Sequence, residues 1–113
     1  MSGYFKWKKL GRVFDPKQYN GPEWMHEFAQ APATLMFDDF LRVYFSTRPK
    51  PDAKGFYVSY SGFVDLDKND LFKILNVSKE PILELGELGT FDEFGTYPVS
   101  VIKDGNNFRA YYA

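Results

Sequence analysis

Residues 31–46, APATLMFDDFLRVYFS, decide how the chain is read, because residues 97–113, YPVSVIKDGNNFRAYYA, repeat their order of features. Pro32 answers to Pro98, Leu35 to Val101 and Asp38 to Asp104 at an offset of 66 residues. With one further residue in the turn, Arg42 answers to Arg109, Tyr44 to Tyr111 and Phe45 to Tyr112. Each copy is an alternating apolar run, an Asp-centred turn and a second alternating run rich in aromatic residues, the pattern of a β-hairpin. Alternation predicts Ala33, Leu35 and Phe37 on one face and Thr34 and Met36 on the other. Pro32 and Pro98 are each expected to open a strand, since the first residue needs no ladder donor.

The likeness extends upstream, where Leu10-Gly11-Arg12-Val13-Phe14-Asp15 resembles Leu88-Gly89-Thr90-Phe91-Asp92 with one residue fewer. A period of 66 exceeds the roughly 20 to 50 residues of common repeats, but a four-stranded propeller blade with long loops reaches it.

Outward from the first hairpin, residues 3–14 predict one strand, stopped by Asp15-Pro16 because proline lacks a donor and restricts the residue before it. Residues 17–30 predict a loop with one helical turn after Pro22. The hairpin pairs 32–36 with 41–47 across 37–40, and 48–55 form a turn-rich connector. A third strand is expected over 56–62, continuing to 67 after a bulge at Gly62. Lys68-Asn69-Asp70 turns the chain, and periodicity leaves 71–77 open between strand and helix. Gly86, Gly89 and Gly95 punctuate a loop that carries Asp92 and Glu93.

At 113 residues there is room for one domain, and 44% hydrophobic residues, with 12 Phe and 8 Tyr, suffice for a core built on pleated surfaces. The formal charge of −1 carries no electrostatic footprint for nucleic acid or an anionic membrane surface. Without cysteine there are neither disulfides nor thiolate metal sites. The first residues lack an apolar stretch of signal-peptide or membrane-spanning length, so a cytoplasmic protein is expected. The sequon Asn76-Val77-Ser78 then has no consequence.

Residues 65–70 resemble the start of a calcium loop, but Asp70 stands where a glycine must turn the chain and Asn76 where a bidentate glutamate belongs. A polar turn is expected there, with neither metal nor cofactor. His26, the lone histidine, is open to three readings: proton shuttle, ligand to sugar hydroxyls, or a side chain satisfied by local backbone. Asp15, Asp92 and Glu93 are loop carboxylates, and glycoside hydrolysis uses two carboxyls across one bond. Arg48, directly after an alternating strand, offers planar donors to an anionic or hydroxyl-rich ligand.

The sequence of Phe28-Ala29-Gln30-Ala31-Pro32, then LRVYFSTR (41–48), GFYVSY (55–60) and GTFDEFGTYPVSVI (89–102), followed by an aromatic strand, resembles the beginning of a five-bladed β-propeller. It is similar to the glycoside hydrolase-like propellers related to arabinanases, xylosidases and levanases, in particular to predicted glycosidases found among sugar and lipopolysaccharide biosynthesis proteins. The resemblance implies an all-β fragment of about one and a half blades of antiparallel strands. Residues 1–96 would form the first blade with its opening loop and connector, and 97–113 the first hairpin of the second.

It further implies a carbohydrate ligand in a central funnel lined by Gln30, Arg48, Asp92, Glu93 and Tyr97, with His26 nearby. Asp92 and Glu93 are the catalytic candidates, acting with carboxylates from later blades. The family's Asp-Pro is absent, since the prolines follow Gln30-Ala31 and Thr96-Tyr97. Two further expectations stand beside a glycosidase: a non-catalytic sugar-binding module using Tyr97, Trp24 and Arg48, and a fragment whose copies complete one another's sheets. In each, the chain is expected to be incomplete alone, as a homo-oligomer or with missing C-terminal blades, and without turnover.

Overall fold

A computed structural model describes residues 3–113, which form mostly antiparallel β-structure. A short helix α1 (Pro16–Tyr19) precedes β1 (Glu27–Met36), β2 (Phe40–Arg48), β3 (Tyr60–Asp67), β4 (Ile74–Val77), β5 (Pro98–Asp104) and β6 (Asn107–Tyr112). The first four strands make one sheet in sequence order, each antiparallel to the next, and β5 and β6 form a separate hairpin. β5 lies beside β1, so the leading strands of the two sheets are neighbours.

Alternation divides the first sheet into two different faces. Val43 and Phe45 of β2, Val64 and Leu66 of β3 and Val77 of β4 point one way and form the core with Met25. Val13, Phe14 and Trp24 cover this face from the N-terminal segment. On the other face Arg42, Tyr44 and Ser46 stand opposite Asp65, Phe63 and Ser61. This polar face meets the second hairpin and its approach loop, where the Ser61 hydroxyl donates to the carbonyl of Thr96 at 3.0 Å and Phe37 contacts Phe108.

The two hairpins share a register, and it differs from the one expected. Ala33 pairs with Tyr44 and Ser100 with Tyr111; Leu35 pairs with Arg42 and Ile102 with Arg109. Both partners therefore shift by 67, from 33 to 100 and from 44 to 111, and the turns Asp38-Asp39 and Gly105-Asn106 have equal length. Arg42 and Arg109 correspond as expected, but the counterpart of Leu35 is Ile102, not Val101. The offset is 67 on both sides of a bulge that the two leading strands share, between Gln30 and Ala33 in β1 and between Pro98 and Ser100 in β5, so the turns hold no extra residue and only the prolines are out of step.

Pro32 and Val99 correspond within these bulges, a position that needs no ladder donor. The two prolines are thus one residue out of step. Pro98 opens β5, whereas β1 begins five residues before Pro32. Ahead of the bulges Gln30 pairs with Ser46, and Tyr97 exchanges both backbone hydrogen bonds with Ala113, so Gln30 and Tyr97 hold equivalent places.

Other expectations are corrected. Residues 3–14 form no strand, having no neighbour to pair with, and Trp7 is 92% exposed. The helical turn lies at Pro16 instead of after Pro22: the Asp15 carboxylate accepts from the amide of Lys17, and proline is preset for the first helical position. After Pro22 there is a single turn closed by the Met25 amide on the Pro22 carbonyl. β3 begins at Tyr60 and passes Gly62 without a bulge towards β2, in unbroken register from Thr47 with Tyr60 to Phe40 with Asp67. Gly62 serves close approach instead, since a Cβ there would lie 2.8 Å from the ring of Trp24. Residues 74–77 resolve the open stretch as strand, because β3 offers an edge.

Candidate functional site

Where the two sheets meet, three polar side chains from distant parts of the chain converge. Arg48 closes β2, Ser59 precedes β3 and bridges to Gly95 in parallel, and Tyr97 stands just before β5. Arg48 donates from Nε to Ser59 Oγ at 3.3 Å and from Nη2 to Tyr97 Oη at 3.1 Å, and Ser59 Oγ donates to Tyr97 Oη at 3.2 Å. These donors, Ser59 first and Arg48 second, favour the phenolate and lower the Tyr97 pKa below the ordinary 10.0.

Two aromatic rings hold the guanidinium from the sides. Arg48 Cζ lies 5.4 Å from the centre of the Phe28 ring and 5.3 Å from that of Tyr57, within the range of cation–π attraction. The rings meet edge to face at 6.3 Å, and Tyr57 donates to Glu27 Oε1 at 3.2 Å. Phe28 has φ +68, a left-handed conformation that is uncommon for a bulky residue. Held backbone of that kind concentrates at ligand-binding positions, and here it occurs where the β1–β2 register shifts between Glu27 and Gln30.

Of the residues singled out by sequence, the structure brings Arg48 and Tyr97 into contact and places the others apart. Gln30 is exposed on β1, at the place in its hairpin that Tyr97 holds in the second. His26 binds through its backbone amide to the Arg48 carbonyl, while its side chain lines a separate cleft of about 480 Å³ with Lys17, Asn20 and Lys50.

Asp92 is buried in the loop before β5, where Oδ1 accepts from Thr90 Oγ1 at 3.0 Å and Oδ2 from Tyr112 Oη at 3.1 Å. Gly86 leaves the room this carboxylate occupies, for a Cβ there would overlap Asp92 Oδ1. Glu93 closes the same loop by accepting from the Gly89 amide at 2.8 Å. Trp24 belongs to the core side, donating to the Lys79 carbonyl.

Sequence reasoning missed Phe28, Tyr57 and Ser59 as parts of one cluster. Tyr57 and Ser59 do fall on one side of the alternation over 56–62, which is the signal that was present. Phe28 had none, because its placement depends on the irregular start of β1. Among the described residues no group of three or more His, Asp or Glu side chains is arranged to hold a metal ion. No helix among them is long and apolar enough to cross a membrane.

Over 107 residues the chain is 35% identical to a protein of Mycobacterium tuberculosis strain CDC 1551 / Oshkosh and to one of strain ATCC 25618 / H37Rv, each described only as an uncharacterized protein. The match takes in 94% of this chain and 33% of each relative, so the chain spans about a third of the length of the curated relatives it matches. No family model matches the chain, and neither does any solved structure.

Proposed function

We propose that the chain is the N-terminal part of a glycosidase-like five-bladed β-propeller and that it binds a carbohydrate at the junction of its two sheets. The four strands in sequence order are the arrangement of one blade, and the hairpin whose leading strand lies beside β1 is the start of the next. The observation that carries the ligand class is the Arg48, Ser59 and Tyr97 cluster flanked by the rings of Phe28 and Tyr57. Ring faces suit sugar C–H groups, and convergent donors suit hydroxyls.

Asp92 and Glu93 are the carboxylates this chain would contribute to hydrolysis, with partners from the remaining two thirds of a protein of the relatives' length. Binding without hydrolysis is the second reading, and the bonding of Asp92 favours it: both carboxylate oxygens are already engaged. Titration of the ¹⁵N-labelled chain with neutral oligosaccharides tests the ligand class. Shifts confined to the surroundings of Arg48, Ser59 and Tyr97 are expected, and an unchanged spectrum overturns the reading. Release of aryl leaving groups from glycosides by this chain, abolished by Glu93→Gln, would decide for hydrolysis.

A further inference from the structure

The chain contains four arginines, and the electrostatics of three are closed. Arg12 pairs with Asp15, Arg42 with Asp65 and Arg109 with Asp104, each at 2.8 Å. Arg48 alone has no carboxylate within 4.0 Å among the described residues. Its neighbour across the strands, Glu27, is its register partner but accepts from Tyr57 instead. Burying an unpaired cation is costly, and Arg48 is half-buried between two rings with only hydroxyl partners. A guanidinium has five N–H donors; one on Nε and one on Nη2 are used, and the others have no hydrogen-bond partner among the described residues.

We propose that the sugar bound at this junction carries an oxyanion, a uronic acid carboxylate or a phosphate ester, and that Arg48 receives it. The proposal rests on the carbohydrate reading and names the substrate class within it. The unused donors of a planar guanidinium match a carboxylate or phosphate in two-pronged fashion. Ser59 and Tyr97 fix the guanidinium in place, so little side-chain freedom is lost on binding. The Tyr97 pKa is lowered first by the Ser59 hydrogen bond and then by that of Arg48, whose guanidinium meets no carboxylate within 4.0 Å among the described residues.

Calorimetric titration of the 113-residue chain with glucose, glucuronate, glucose 6-phosphate and inorganic phosphate tests it. The acidic sugars are expected to bind about tenfold or more tighter than glucose, as a charged hydrogen-bonded contact implies. Arg48→Gln should remove that preference, and Arg48→Lys should keep part of it. The relative affinity of glucuronate and glucose 6-phosphate distinguishes carboxylate from phosphate. Should Arg48→Gln fail to fold, the same ranking in the unaltered chain, weakened by added salt, carries the test. Equal binding of glucose and both acidic sugars overturns the anion while leaving the carbohydrate reading intact. Inorganic phosphate binding as tightly as glucose 6-phosphate, or no probe binding at all, overturns both.

Discussion

Arg42 and Asp65 face each other across β2 and β3 and join through two parallel hydrogen bonds, Nε to Oδ1 at 2.8 Å and Nη2 to Oδ2 at 3.0 Å. The Asp65 side chain is 7% exposed, and the guanidinium lies 3.8 Å from the centre of the Phe63 ring. This hydrogen-bonded partner raises the Arg42 pKa, more than offsetting the effect of burial. The pair closes the polar face at the point where a calcium-like motif begins in the sequence.

Removing one partner leaves the other charge with its solvation lost. Asp65→Asn is expected to lower unfolding stability by about 3 kcal/mol, measured by urea denaturation. The double replacement Arg42→Met with Asp65→Leu is expected to recover much of that loss, because apolar groups of similar volume need no partner. A single-variant cost below about 0.5 kcal/mol would show the pair to be equivalent to an exposed one.

Gly62→Ala tests the close approach of Trp24 to β3. The added methyl would lie 2.8 Å from the indole ring and 3.0 Å from Ser78 Oγ. Overpacking of this kind costs about 1–3 kcal/mol, and the displaced ring is expected to change tryptophan fluorescence. An unaltered emission spectrum and melting curve would contradict the packing.

Ser46 and Thr47 are adjacent and both fully buried, yet they differ in satisfaction. Thr47 donates to the Glu27 carbonyl at 3.0 Å, whereas Ser46 Oγ has no hydrogen-bond partner among the described residues. Ser46→Ala is therefore expected to be neutral or stabilising, and Thr47→Val to cost about 1 kcal/mol. Thermal melts of the two variants check the order.

Tyr97 and Tyr112 should titrate on opposite sides of 10.0. Hydrogen bonds from Ser59 and Arg48 lower the first, and donation to Asp92 raises the second. A depressed folded-state pKa gives stability that is present above 10.0 and lost as pH falls through the folded value. A raised one gives stability that is full below 10.0 and lost as pH rises through the folded value. Alkaline absorbance titrations should assign the early phenolate to Tyr97 by its loss in Tyr97→Phe and a late one to Tyr112 by its loss in Tyr112→Phe. Coincident midpoints at 10.0 would contradict both networks.

What the sequence by itself determined was local in origin. Alternation identified both hairpins and the faces of Ala33 and Leu35, since side chains of a strand alternate whatever lies around them. Turn residues placed the break after Asp67, where the Asp67 carboxylate accepts from the amide of Asn69 at 2.7 Å. Arg48 was visible as a polar residue at a strand end, and Tyr97 only as a lining position implied by the propeller resemblance. Tertiary structure alone decided the offset of 67, because register is fixed by which backbone groups pair, and the two prolines that suggest 66 lie one residue out of step in the paired hairpins. It also decided that residues 3–14 remain unpaired and that 74–77 form a strand, since pairing needs a free edge at the right place. The contact of Arg48 with Tyr97 crosses 49 positions of chain. No local pattern encodes it, for it depends on how the second hairpin is seated against the polar face of the first sheet.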